Sequence, residues 1–211
     1  AATGNLNEDD LSYSEAIFLL RREEGVLPIT ASEKFNASGR LSAAELPVSI
    51  EIPGLNASLF PYQAQGIQWM WNTLSRTRGL ILADEMGLGK TLQIIALLLM
   101  SRPANTSPAL IICPTSLIAN WVREIERFAP SLSVAVHRGP YRTGVYSGLQ
   151  KSNVVVTTYD TMVNDIAIFS AFEWSWLICD EAQALKNPDS NRRQAVVKIS
   201  RCNTIPMTGT P

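Results

Sequence analysis

Short apolar runs alternating with amphipathic stretches constrain this chain more than any other feature. The runs fall at residues 79–83, 109–113, 133–136, 153–157 and 176–179. Helical patterning separates or flanks them at 62–74, 90–100, 117–128, 159–168 and near 191–198. A strand buried on both faces reads as a continuous apolar run. Two parallel strands need a crossover between them, and a helix is its usual form. The pattern predicts an α/β domain: a mostly parallel central sheet flanked by helices. Upstream the texture differs. Residues 14–24 read as a short helix ended by Gly25, and residues 48–52 (VSIEI) alternate as one short strand.

Charge divides the chain at nearly the same place. Residues 1–58 hold nine acids against four bases, and residues 59–211 hold fourteen bases against ten acids. The chain therefore reads as an acidic, partly helical N-terminal extension, 1–58, and an α/β domain, 59–211. The overall net charge of -1 argues against a free-standing polyanion binder. The cysteines are Cys113, Cys179 and Cys202, with no CxxC pair, and His137 is the one histidine. Zinc-finger ligation is excluded at any familiar spacing. Cys113 and Cys179 lie in apolar runs and read as reduced, buried thiols of an intracellular protein. The longest apolar stretch, 94–100, is too short to span a bilayer, which takes about 20 residues. The first 20 residues show no signal peptide. The N-x-S matches at Asn36, Asn56 and Asn105 read as chance.

The strongest local signal is Asp84-Glu-Met-Gly-Leu-Gly-Lys90-Thr91, set between a predicted strand and a predicted helix. Glycines at such a turn let backbone N–H groups close around phosphates at a helix N-terminus. Gly87 and Gly89 supply that freedom. Lys90 would reach the β/γ-phosphates and Thr91 would hold Mg²⁺. Met86, Leu88 and Leu92 complete the candidate phosphate-binding segment. The strict P-loop pattern begins with glycine, and Asp84 stands in that place. The second signal is Trp176-Leu-Ile-Cys-Asp180-Glu181-Ala-Gln183, in which an apolar strand delivers two acids at its carboxyl end, where α/β sheets place ligands. Asp180 would bind Mg²⁺, and Glu181 would orient and deprotonate an attacking water.

Together these segments resemble the helicase-type ATPases of superfamily two, and among them the Swi/Snf-type ATPases that translocate on double-stranded DNA. DEMGLGKT is similar to that family's motif I, including the acid at its first position. DEAQ is similar to its motif II, with Gln183 where the family often has histidine. Residues 59–63 (LFPYQ) resemble the Q-motif, which implies that Gln63 reads the adenine edge. Phe60 replaces the family's usual basic residue. Residues 113–117 (CPTSL) with Asn120 and Trp121 resemble motif Ia, a DNA-backbone contact. Residues 156–160 (VTTYD) resemble motif Ib, and 208–211 (TGTP) resemble motif III.

The resemblance covers residues 59–211 and implies the first RecA-like lobe of such an enzyme. It implies ATP and Mg²⁺ as cofactors and Lys90, Asp180 and Glu181 as catalytic residues. It further implies DNA contacts at Thr115, Ser116, Thr157 and Thr158, of which the last three equally suit helix or turn caps. The implied partners are double-stranded DNA, the second RecA-like lobe of the same parent, and a DNA-bound protein to be moved; no membrane is implied. Location would be the cytoplasm or nucleoid in a bacterium and the nucleus in a eukaryote. The sequence ends at Pro211, in or just after motif III, so the second lobe is not in it. The chain is expected to be a piece of a longer protein, slow or inactive alone. The alternatives are an RNA-directed helicase of the same superfamily, or a non-enzymatic module that binds nucleotide or a partner. A small-molecule kinase is a third alternative, against which stand DEAQ, TGTP and the lack of a visible lid or substrate-binding arginine cluster in this sequence. Trp69 and Trp71 are expected in the core, and His137 is expected to be structural. Lys186, Arg192, Arg193, Lys198 and Arg201 are expected on a solvated helix face.

Overall fold

The computed structural model describes residues 50–85, 87–104 and 107–209. The expected helix at 14–24 lies outside these residues. So do positions 48 and 49 of the alternating VSIEI stretch; its described part, 50–52, forms no strand. Ile52 is nevertheless buried, and Leu55 and Leu59 pack on the same core.

Elements follow in the order α1 (Pro61–Thr77), α2 (Lys90–Ser101), β1 (Ala109–Cys113), a 3-10 turn (Thr115–Leu117) and α3 (Ile118–Phe128). Then come β2 (Val134–His137), α4 (Tyr146–Leu149), β3 (Val154–Thr158), α5 (Tyr159–Asn164) and α6 (Ile166–Phe169). The last are β4 (Trp174–Cys179), a 3-10 turn (Ala182–Leu185), α7 (Asn191–Lys198) and β5 (Arg201–Pro206). The five strands pair in the order β2-β3-β1-β4-β5, all parallel.

Successive strand side chains point to opposite faces, and each face has its own core. Ile111, Cys113, Val154, Val156 and Ile178 pack beneath α1, α2 and α3. Leu110, Ile112, Val155, Leu177 and Cys179 meet α5, α6 and α7 on the other side. Helix α2 is buried on all sides from Gln93 to Leu99. That burial explains why its sequence shows a run and not a stripe. Each fully buried aliphatic side chain contributes about 1.5–3 kcal/mol relative to exposure, which fixes the helix that follows the glycine turn.

Four expectations change. The run at 79–83 is not a regular strand: it meets β5 and the residue beyond through parallel bridges at Gly79–Thr204 and Leu82–Met207. The predicted helix 159–168 divides at Asp165, whose carboxylate accepts hydrogen bonds from Arg142 and is bonded to His137 Nε2 at 2.8 Å. Those bonds hold the Asp165 carboxyl below its usual range, Arg142 foremost. Trp69 and Trp71 are each 36% exposed, not in the core. The buried face of α1 runs through Ile67, Met70 and Leu74, and the tryptophans flank it. Arg192 is ion-paired with Asp160 at 2.7 Å, and Arg201 donates to the carbonyls of Val196 and Ile199. Lys186, Arg193 and Lys198 are exposed and the Arg192 pair lies at the surface, as expected of a solvated face, so the change is at Arg201. His137 is buried and structural, as expected, with its backbone carbonyl accepting from the Thr157 hydroxyl.

Candidate active site

The glycine turn is built by two left-handed residues. Gly87 has φ +86° and Gly89 has φ +73°, and Gly89 is the N-cap of α2. The left-handed backbone favours glycine at position 89, and a Cβ there would displace the Gln63 amide. Gln63 sits in the first turn of α1, where its Oε1 accepts the Phe60 N–H at 3.0 Å. Its Nε2 donates to the Leu88 carbonyl at 3.3 Å. The predicted adenine reader thus touches the predicted phosphate loop. Gln93, fully buried on α2, donates from Nε2 to the same carbonyl and to Asp84 Oδ2, each at 3.4 Å. Lys90 Nζ donates to the carbonyls of Asp84 and Glu85 at 2.7 and 2.9 Å. Its ammonium therefore lies folded over the loop, where phosphate oxygens would replace the carbonyls. Thr91 and Leu92 follow in the first turn of α2, both half-buried; Met86 lies outside the described residues.

Asp180 and Glu181 follow the end of β4. Asp180 Oδ1 accepts the Glu181 N–H and Oδ2 accepts the Trp121 indole N–H, both at 2.9 Å. The Asp180 carbonyl accepts the Tyr159 hydroxyl at 2.7 Å. Burial, with the neighbouring Glu181 charge, raises the Asp180 pKa, while the Trp121 indole, the Glu181 N–H and the charge of Lys90 oppose the rise. Leu82 bridges Met207 in parallel, and Met207 N–H donates to the Cys179 carbonyl, so the glycine turn after residue 82 and the acids after β4 leave the same carboxyl end of the sheet. Burial also pushes the flanking thiols Cys113 and Cys179 up to about 12, so neither is a nucleophile at neutral pH. Glu181 has φ +51°, a left-handed conformation that costs a non-glycine residue on the order of 1 kcal/mol. That turn carries its carboxylate to Gln183, whose Nε2 donates to Glu181 Oε2 at 2.6 Å. Gln183 Oε1 in turn accepts from the Thr208 hydroxyl at 3.1 Å.

The donors fit a nucleotide-borne Mg²⁺. Among the described residues no group of three or more His, Cys, Asp or Glu forms a metal cage. Mg²⁺ needs none when phosphates and waters supply most of its shell and the protein adds one or two oxygens. Asp180 and the Thr91 hydroxyl are the candidates.

A cleft of about 450 Å³ opens beside the acids, lined by Pro114, Thr115, Thr158, Asp160, Glu181 and Gln183 among others. It joins the ends of β1, β3 and β4, where parallel α/β sheets present their ligands. Thr115 and Ser116 are exposed on the turn after β1. Thr158 is the N-cap of α5, its side chain accepting from Thr161 N. Thr157 is fully buried with its hydroxyl donated to His137, so the expected DNA contact there is withdrawn. Asn120 bonds Glu124 and Arg123, and Trp121 faces inward to Asp180.

Residues 62–211 match the family described as the SNF2-related domain. This chain belongs to that family. The SNF2-related chain is 39% identical over 180 residues to Helicase SWR1 of Eremothecium gossypii, covering 82% of this chain and 12% of that protein. It is 39% identical over 157 residues to the Chromodomain-helicase-DNA-binding protein 1-like of Mus musculus, covering 71% and 17%. Among solved structures it is similar to the Sulfolobus solfataricus SWI2/SNF2 ATPase core in complex with dsDNA, with 36% identity and a TM-score of 0.69. That match covers 77% of this chain and 34% of the other. The SNF2-related chain thus spans less than a fifth of the length of these two curated relatives and about a third of the solved core.

Sequence reasoning missed two site residues of the SNF2-related chain. Gln93 carried a usable signal, being a polar residue in the middle of an apolar helix beside the glycine turn. Trp121 was visible only as a member of the DNA-contact segment, and its partner is fifty-nine positions away.

Proposed function

We propose that residues 59–211 are the first ATP-binding lobe of a longer, DNA-dependent ATPase that moves on double-stranded DNA and remodels protein–DNA complexes. Residues 1–58 are its acidic extension. The observation that carries the reading is that the glycine turn after Leu82 and the acid pair after Cys179 leave the same carboxyl end of an all-parallel sheet, joined through Met207. Gly87, Leu88, Gly89 and Lys90 cradle the phosphates, Met86 and Leu92 complete the loop, and Gln63 reads the adenine edge. Thr91 and Asp180 hold Mg²⁺, which when bound neutralises charge on the transferring phosphate. Glu181 aligns the attacking water and takes its proton. Thr115, Ser116 and Thr158 contact the phosphate backbone of duplex DNA, positioning it without reading sequence.

The solved relative supports the DNA, since that ATPase core is in complex with dsDNA. A second lobe and a DNA-bound protein are the further partners. An intracellular setting, nucleoid or nucleus, goes with that substrate. Arginines of the second lobe would supply about 10³–10⁵ in rate, so this chain alone turns over slowly or not at all.

The test uses the longer protein with both lobes. Glu181→Gln retains ATP binding and loses DNA-stimulated phosphate release by at least about 10²-fold, the scale of a positioned general base. Unchanged hydrolysis in that variant would remove Glu181 from the mechanism. Stimulation by RNA and not by duplex DNA would favour the RNA-directed reading.

A further inference from the structure

Two hydrogen bonds hold the Asp180 carboxylate, and one comes from far away in sequence. The Glu181 N–H takes Oδ1 and the Tyr159 hydroxyl takes the backbone carbonyl, but Trp121 alone reaches Oδ2, from α3, at 2.9 Å. Trp121 is 1% exposed. A buried indole N–H needs an acceptor, and a backbone carbonyl suffices, as Trp174 shows by donating to Phe169 O at 2.8 Å. Trp121 is different in spending its one donor on an ionisable side chain. With one donor on each oxygen, rotation of the carboxylate breaks both bonds. Each oxygen keeps a further lone pair for a cation or its water.

We propose that Trp121 is a positioning residue for the Asp180 carboxylate and, through it, for the divalent cation of the bound nucleotide. This rests on the reading of Asp180 as the magnesium acid. Trp121 touches neither nucleotide nor metal in this account. It fixes the direction in which Asp180 presents its remaining lone pairs. It also ties that direction to α3, the helix that follows the exposed Thr115–Ser116 turn.

The experiment uses this chain, with mant-ATP binding followed by direct excitation of the mant group, first in EDTA and then with rising MgCl₂. Trp121→Phe keeps most of the buried ring and removes the N–H. The variant should bind mant-ATP in EDTA as the unmodified chain does. It should need roughly ten- to a hundredfold more Mg²⁺ for half-maximal enhancement, the loss of one hydrogen bond to a charged group. An unchanged Mg²⁺ midpoint, or an equal loss of binding in EDTA, overturns the proposal and leaves Trp121 as packing. Should the variant fail to fold, the unmodified chain answers by indole ¹H–¹⁵N spectra. Adding Mg²⁺ to the ADP-bound chain should move the Trp121 signal more than those of Trp69, Trp71, Trp174 and Trp176, and a Trp121 signal that stays still overturns the proposal. Failure of the unmodified chain to bind mant-ATP at any Mg²⁺ concentration strikes the nucleotide-lobe reading itself, and this inference with it.

Discussion

Gly89 shows how much one residue decides. Its φ of +73° starts α2, and the space where a Cβ would sit holds Gln63 Nε2 at 2.4 Å. Gly89→Ala should cost about 1–2 kcal/mol from the left-handed backbone alone. It should also drive Gln63 off the Leu88 carbonyl. We expect a lower urea midpoint and weaker ATP binding together; unaltered ATP affinity would separate Gln63 from the nucleotide site. At this scale the sequence was readable where the chemistry is local. Gly87, Gly89 and Lys90 share one turn, and Gln63, which the family resemblance supplied, reaches it from α1. It was unreadable where the partner is remote. Trp121 holds Asp180 Oδ2 from fifty-nine positions away, a contact that no spacing encodes. Thr157 was misplaced because its neighbour Thr158 is the cap; alternation along β3 turns the Thr157 hydroxyl to the His137 carbonyl.

Among elements, the turn after β1 and the start of α5 separate stability from binding. The Thr158 side chain caps α5, whereas Thr115 and Ser116 are exposed. Thr158→Ala should lower unfolding free energy by about 1 kcal/mol. The pair Thr115→Ala and Ser116→Ala should leave stability unchanged and weaken duplex-DNA binding. Urea melts and DNA titrations of the longer protein check both; a DNA affinity untouched by the turn variants would remove motif Ia from the interface. Strands β1 and β4 were legible because they are buried on both faces, and α2 was legible as the helix that follows the glycine turn. Strand β5 was not, since RCNTIP buries only Ile205 and carries no apolar run. It forms because β4 and the 79–82 segment supply its partners on either side. The break at Asp165 was equally invisible: the polar residue suits a helix surface, and only Arg142 and His137 draw it out of line.

At the scale of the whole molecule, an all-parallel sheet gathers the ends of β1, β3 and β4 on one edge. The glycine turn and Lys90 at the N-terminus of α2 follow the segment that bridges β5 and Met207 at the same end. Gln183 continues the line, joining Glu181 to Thr208 and so the acid pair to the segment that resembles motif III. The glutamine that replaces the family's common histidine thus keeps a side-chain link between the two. All these parts bear on one claim: Lys90, the glycine turn and Asp180 form a single site for magnesium nucleotide. Isothermal titration of this chain with ATP, with and without Mg²⁺, beside Lys90→Ala, tests it most directly. The account predicts one saturable site on the unmodified chain, tightened by Mg²⁺, with affinity lowered at least about tenfold in the variant, the loss of one charge-assisted contact to phosphate. Equal binding by the two proteins, or binding indifferent to Mg²⁺, would contradict it.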